Sequence, residues 1–173
     1  MGRDPPMRMA TTRRKARARA ASQGSCARGT KYSQDMAGAD DHVSLDITWQ
    51  RLVDDHGCTC PRCGSTGEAV RDARNTLAAA LAPLGIDVTV STREISDAEF
   101  RADPSQSHRI WLAGRPLEAW LGATSGSSPC CDQCGDDPCR TVEVDGETLE
   151  AIPADVIVRA GLIAAASIGG DHG

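Results

Sequence analysis

Cysteine spacing constrains this chain more than any other feature of its sequence. Eight cysteines stand at positions 26, 58, 60, 63, 130, 131, 134 and 139 of 173 residues, and all but Cys26 fall into two clusters. The first reads Cys58-Thr-Cys60-Pro-Arg-Cys63-Gly64, the second Cys130-Cys131-Asp-Gln-Cys134-Gly135 followed by Cys139. Sulfur at this spacing points to thiol or metal chemistry: a CxxC pair can cycle between dithiol and disulfide, or offer two thiolates to one ion. Composition limits what can surround the thiols. Aromatic residues are only 3% of the chain, namely Tyr32, Trp49, Phe100, Trp111 and Trp120. The core must therefore come from Leu, Ile, Val and Ala, and the scarcity of aromatics argues against a base-stacking platform for single-stranded nucleic acid. No GxSxG, P-loop or GxGxxG sequence occurs, which argues against hydrolase, NTPase and nicotinamide chemistry.

The net charge of −5 hides an asymmetry: residues 1–42 carry nine Lys/Arg against four Asp/Glu, residues 43–173 ten against twenty. The basic run Arg13, Arg14, Lys15, Arg17, Arg19 lies among Ala, Ser and Gly, too little apolar surface to offset the entropy of ordering it. We read residues 1–42 as a disordered basic leader, or as residues upstream of a true start at Met36, rather than as an arm for nucleic acid. No apolar h-region follows, so this is not a secretory signal. The most apolar stretch, Val156 to Ile168, is too short to span a bilayer and contains Arg159. A cytoplasmic, membrane-free protein is expected, in which cysteines stay reduced and act as redox thiols or metal ligands rather than staples.

From residue 43 the chain alternates elements. Val43 to Val53 has strand periodicity, with Val43, Leu45, Ile47 and Trp49 on one face. Val70, Ala73, Leu77, Ala80, Leu81 and Leu84 recur at helical spacing, ended by Pro83 and Gly85. A strand follows over Ile86 to Ser91, and a short helix over Ile95 to Arg101. Arg109–Leu112 and Leu117–Leu121 read as a hairpin turning at Ala113-Gly114-Arg115-Pro116, and residues 122–139 as an irregular insert. Asp145-Gly146 marks a second hairpin, between Thr141–Val144 and Thr148–Ile152. Pro153 opens a final helix. The order β-α-β-α-β-β-(insert)-α predicts a single α/β domain of thioredoxin-like arrangement over residues 43–168, with a Cys-rich insert at 122–139 and a tail at 169–173.

Cys60-Pro-Arg-Cys63 lies between a strand and a helix, where a redox dithiol belongs. Cys60 is the expected attacking thiol, its thiolate favoured by helix amides and Arg62, and Cys63 the resolving one. Two signals oppose this. Ser65-Thr-Gly-Glu68 forms a capping box that would start the helix near Thr66 and leave both thiols in a loop. Cys-Pro-Arg-Cys-Gly is also a zinc-knuckle sequence, and the second cluster repeats CxxCG, so two pairs could supply four thiolates. Sixty-seven residues separate Cys63 from Cys131, so a shared site depends on topology. If the fourth strand ended near Leu121, the insert would begin at the CxxC pole and the clusters could meet. Cys130 and Cys131, being adjacent, do not readily pair with each other.

Several motifs resemble one family. The strand-CxRCG-TG-helix segment, Ser107-x-Arg109-Ile-x-x-x-Gly114-x-Pro116-Leu117-Glu118, Cys139-Arg140-Thr141 and Glu150-x-Ile152-Pro153 look like an uncharacterised thioredoxin-like bacterial and archaeal family, domain of unknown function 2703. The resemblance covers residues 43–168 and implies a thioredoxin-like fold with no established activity. Compared with thioredoxins and glutaredoxins, no aromatic residue immediately precedes the CxxC. His108 follows Ser107 where those proteins carry a cis-proline, which would bring an imidazole beside the thiols.

Two functions are expected to compete. The first is thiol–disulfide redox chemistry at Cys60/Cys63 on a thiol or disulfide substrate. The second is binding or detoxification of zinc or another soft metal (mercury, copper, arsenite) by Cys58, Cys60, Cys63, Cys130, Cys131, Cys134 and Cys139. His56 is a minor candidate ligand; His42, His172 and Cys26 carry no pattern. Asp136-Asp137 and Glu147–Glu150 read as solvated charges. Oligomeric state is not set by the sequence.

Overall fold

Nine residues, alternating in burial up to Trp49 and continuously buried from there, form β1 (Ser44–Leu52), the axis of the main sheet. The structure, a computed structural model, describes residues 43–130 and 136–169; the expected leader, Cys131, Cys134 and the last four residues lie outside it. β1 pairs in parallel with β2 (Asp87–Ile95), from Ser44↔Asp87 to Leu52↔Ile95. On its other side it pairs antiparallel with β3 (Ile110–Leu112), which pairs in turn with β4 (Arg115–Pro116), giving the order β2-β1-β3-β4. Leu45, Ile47 and Trp49 point into the core, as the period of two requires. The outer face is polar, with Thr48 and Ser91 hydroxyls 3.0 Å apart.

Between β1 and β2 runs α1 (Pro61–Leu81), whose buried stripe is Cys63, Thr66, Gly67, Val70, Ala73, Leu77 and Leu81. The helix starts five residues before the position that the capping box suggested. Pro61 presets the φ of the first turn, and the Cys60 side chain already accepts the Cys63 N–H, so Ser65 falls inside the helix. The helix lies close against the sheet: a Cβ on Gly67 would overlap the Trp49 ring. After β2, a complete Ser96/Glu99 capping box starts α2 (Asp97–Ala102).

The expected strand at Leu117–Leu121 is instead a helix, α3. Ala113 and Gly114, both at positive φ, turn the chain so tightly that β4 is only two residues long. Leu117, Trp120 and Leu121 then sit at helical spacing, and Gly122 stops the helix in the left-handed conformation. Nor is the insert irregular throughout. Thr124–Ser128 forms β5, antiparallel to β6 (Cys139–Val144), and β7 (Glu147–Leu149) completes a second, three-stranded sheet. The Asp145-Gly146 turn has φ of 53° and 84°, the left-handed pair that a tight hairpin demands. Helix α4 (Ala154–Gly169) closes the fold against α1, with Gly161 seated on Leu77.

The result is one mixed α/β domain with a main core between the first sheet, α1, α4 and the inner residues Val142 and Val144 of the second sheet. A smaller cluster sits at one pole: Leu52, Cys60, Cys63, Ile95, Phe100 and Cys139, with Cys130 packed against it. The two cysteine clusters therefore meet, but not by the expected route. The chain returns to the Cys60 pole along β5, whose Ser128 pairs with Cys139, and not along a fourth strand ending at Leu121. Among the described residues no helix is long and apolar enough to cross a membrane.

Candidate functional site

The site grows from the loop between β1 and α1. The Asp54 carboxylate accepts the N–H groups of His56 (2.9 Å) and Cys58 (2.8 Å), and Thr59 donates its hydroxyl to the Leu52 carbonyl (2.7 Å). These bonds hold the Asp54 carboxyl below its ordinary range, the Cys58 amide contributing most. The loop delivers Cys60 to the N-cap of α1, where its sulfur lies 3.4 Å from the Cys63 amide. Both thiols are free and buried.

Behind them stands His108, 1% exposed and held at a φ of 58°, the left-handed region that side chains rarely adopt. Its Nε2 lies 3.1 Å from Cys63 Sγ, and its Nδ1 lies 3.3 Å from Thr66 Oγ1. Thr66 Oγ1 also accepts the Ile152 N–H at 3.2 Å. A single threonine thus fixes the imidazole and ties it to the segment before α4. Strain at a buried imidazole facing a thiol is the kind of backbone outlier that accompanies functional geometry.

The two thiols titrate apart. Cys60 is held far below the ordinary thiol range, chiefly by the hydrogen bond from Cys63, with His108 and the Cys63 amide adding to it against burial. Cys63 is pushed up by the same bond and by burial. One proton between two sulfurs, placed on Cys63, leaves Cys60 as the nucleophile. Arg62, expected to support that thiolate, is turned away: its guanidinium bonds Ser128 Oγ (3.1 Å), the Pro129 carbonyl (3.2 Å) and Glu150 (2.8 Å). Glu150 is thus a partner and not merely a solvated charge.

A cleft of about 300 Å³ opens beside Cys60, lined by Leu52, Val53, Asp54, Asp55, Cys58, Asp97 and Arg101. Cys60 lines it and Cys63 does not. The remaining cysteines divide. Cys130 is bonded to Cys139, and Cys58 is also disulfide-bonded, so in this state these three offer no thiolate to a metal. The expectation that the cysteines would be reduced holds for Cys60 and Cys63 and fails for Cys58, Cys130 and Cys139. Cys131 and Cys134 lie outside the described residues. His56 is exposed in the loop and is not among the residues gathered with the thiols.

What the structure does gather is Cys60, Cys63 and His108, whose donor atoms lie within 4.8 Å of one another, a set compatible with a soft metal ion. The residues that sequence reasoning missed are those supporting the site. Phe100 is fully buried against both thiols' cluster, and Ser107 accepts the Arg140 amide at 3.5 Å. Arg140 itself forms a buried ion pair with Glu118. Ser107, Glu118 and Arg140 stand within the motifs already singled out, which gave them no role at the site, and Phe100 carried no such signal.

An uncharacterized protein of Archaeoglobus fulgidus is 44% identical over 115 residues, 66% of this chain and 83% of that protein. No solved structure matches. A family profile described as Domain of unknown function (DUF2703) matches residues 45–161, which includes Cys60, Cys63, His108, Cys130 and Cys139. With most of the described residues and the whole described site inside that match, the chain belongs to this family.

Proposed function

We propose that the protein is a thioredoxin-like thiol–disulfide oxidoreductase working through Cys60 and Cys63. The observation that carries this reading is a buried, unbonded dithiol whose first sulfur caps a helix beside a cleft and whose second is backed by an imidazole. The sheet order β2-β1-β3-β4, with the dithiol following β1, supports the thioredoxin-like assignment. In the forward reaction the Cys60 thiolate attacks one sulfur of a substrate disulfide and that S–S bond breaks. The leaving thiolate takes a proton. Cys63 then gives its proton to His108 Nε2 and attacks Cys60 Sγ, releasing the second substrate thiol and closing the Cys60–Cys63 disulfide. Two electrons pass to the substrate. The cleft carries Asp54, Asp55 and Asp97 against Arg101, which is itself paired with Asp97. That balance favours a neutral or cationic disulfide over an anionic one.

The test is reduction of a neutral aromatic disulfide by the full chain. Cys60→Ser should abolish it and Cys63→Ser should accumulate a mixed disulfide on Cys60. Wild-type behaviour from both variants would refute the reading. A second reading, soft-metal binding, is favoured by the Cys60, Cys63, His108 donor set. Three protein ligands would leave a fourth position for an exogenous ligand. Elemental analysis and thiol counting on anaerobically purified protein separate the two: stoichiometric metal with masked thiols supports binding, metal-free protein with one rapidly oxidised pair supports redox.

A further inference from the structure

The Cys130–Cys139 disulfide has no place in the chemistry above, yet three features hold it against the dithiol. Cys139 is buried in the same apolar cluster as Cys60 and Cys63, under Leu52, Ile95 and Phe100, and Cys130 packs on that cluster from outside. Arg62, the residue between Pro61 and Cys63, clamps Ser128 Oγ and the Pro129 carbonyl, the two residues just before Cys130. On the far side, the amide of Arg140, next to Cys139, reaches Ser107 Oγ, next to His108. Each cysteine of the bonded pair is thus tethered, through its chain neighbour, to a residue adjoining the dithiol or its imidazole. A disulfide serving only to pin the β5–β6 connection requires none of these tethers. The strand pairing Ser128↔Cys139 already fixes that connection.

We propose that Cys130 and Cys139 form a second redox pair that exchanges disulfides with Cys60/Cys63 inside one molecule, so that the reduced chain holds two electron pairs for its substrate. The proposal rests on the redox reading of Cys60/Cys63. After a substrate has been reduced and Cys60–Cys63 has closed, the Cys130 thiolate attacks Cys60 Sγ. The Cys60–Cys63 bond breaks, a Cys130–Cys60 bond forms, and the Cys63 thiolate leaves, taking its proton from the neighbouring His108. Cys139 loses its proton and attacks Cys130 Sγ, forming Cys130–Cys139 and releasing Cys60. Two thiols are oxidised and two regenerated, and no outside oxidant or reductant is consumed. The end state, a free Cys60/Cys63 dithiol beside a closed Cys130–Cys139 bond, is the state the structure holds.

The experiment uses the full chain, completely reduced and desalted without oxygen. It receives a substoichiometric pulse of a neutral aromatic disulfide, is quenched at intervals and is alkylated differentially. Tandem mass spectrometry then reads each cysteine separately, Cys58 included. Oxidation should appear first at Cys60 and Cys63 and then pass to Cys130 and Cys139, at a rate unchanged by tenfold dilution of the protein. The Cys63→Ser/Cys139→Ser double variant, which lacks both thiols able to resolve the intermediate, should arrest with Cys60 bonded to Cys130. The proposal is overturned if Cys60/Cys63 oxidise and their oxidation never moves, or moves at a rate that scales with protein concentration. It is overturned equally if Cys130 and Cys139 oxidise just as fast in Cys60→Ser. Failure of the underlying redox reading looks different: the pulse then leaves Cys60 and Cys63 reduced from the start. Loss of folding in Cys63→Ser/Cys139→Ser would leave the wild-type time course as a complete test.

Discussion

Thr66 is where the site can be loosened without touching a sulfur. Its hydroxyl accepts the Ile152 N–H at 3.2 Å and meets His108 Nδ1 at 3.3 Å, and all three residues are buried. Thr66→Val keeps the shape and removes both bonds. An orphaned buried amide costs about 1–3 kcal/mol and a second unpartnered nitrogen adds about 1 kcal/mol, so the loss should be roughly 3 kcal/mol. For a folded region of this size each kcal/mol lowers Tm by about 3–4 °C, so Tm should fall by about 10 °C. Thr66→Ser keeps the hydroxyl and deletes one methyl group, which costs about 1 kcal/mol. The ordering, valine worse than serine by about threefold, separates hydrogen bonding from packing. Urea denaturation of the reduced protein, monitored by circular dichroism, measures both losses. If valine proves as stable as serine or wild type, the threonine bridge contributes nothing and the account of how His108 is held is wrong.

Three further outcomes follow from the same geometry. Cys60 should be alkylated ahead of Cys63 at mildly acidic pH, because its lowered pKa keeps the thiolate populated. Its labelling rate should stay nearly flat between about pH 8 and 5, where an ordinary thiol loses roughly tenfold per unit; a tenfold-per-unit decline at Cys60 would contradict the assignment. Gly67→Ala should destabilise by about 1–3 kcal/mol in urea titrations, since the new methyl group overlaps the Trp49 ring and outweighs the gain in helix propensity. Glu118→Gln should cost about 3 kcal/mol by leaving the buried Arg140 guanidinium uncompensated, and a neutral result would show that solvent reaches that pair.

Much of this architecture is legible in the sequence, for reasons that also explain the exceptions. β1, β2, the Asp145-Gly146 hairpin and α4 carry apolar periodicity long enough, or turn chemistry specific enough, to be read locally. The start of α1 is misread because two valid N-terminal signals compete, and the earlier one, proline at the first position with a cysteine cap, prevails. Leu117–Leu121 is too short for its period to be decided; the left-handed turn at Ala113-Gly114 settles it by leaving no length for a strand. β5, Thr-Ser-Gly-Ser-Ser, has no apolar alternation, and only its partner β6 makes it a strand, a tertiary override of weak local preference. His108 is identifiable from its place before β3. Cys130–Cys139 is not, because cysteine count and spacing do not determine connectivity.

The convergence of the two cysteine pairs also accounts for the ion pairs around them. A dithiol that must be both buried and reactive cannot be covered by a rigid apolar cap alone, since the attacking sulfur needs a path to its substrate. Here Leu52, Ile95 and Phe100 pack with the thiols, and polar links tie the neighbouring segments to them. Arg62 holds Ser128 at the end of β5 and Glu150, and Arg140, in β6, holds Glu118. Such links are directional and fix register, whereas apolar contacts tolerate sliding. A one-residue slip of β6 in its pairing would carry Cys139 to the opposite face of its sheet and away from Cys60 and Cys63. Placing a guanidinium inside the CxxC motif and another directly after Cys139 therefore ties the register of the second sheet to the position of the dithiol. That explains why Arg62 contributes to the site by alignment and not by charge on the Cys60 thiolate.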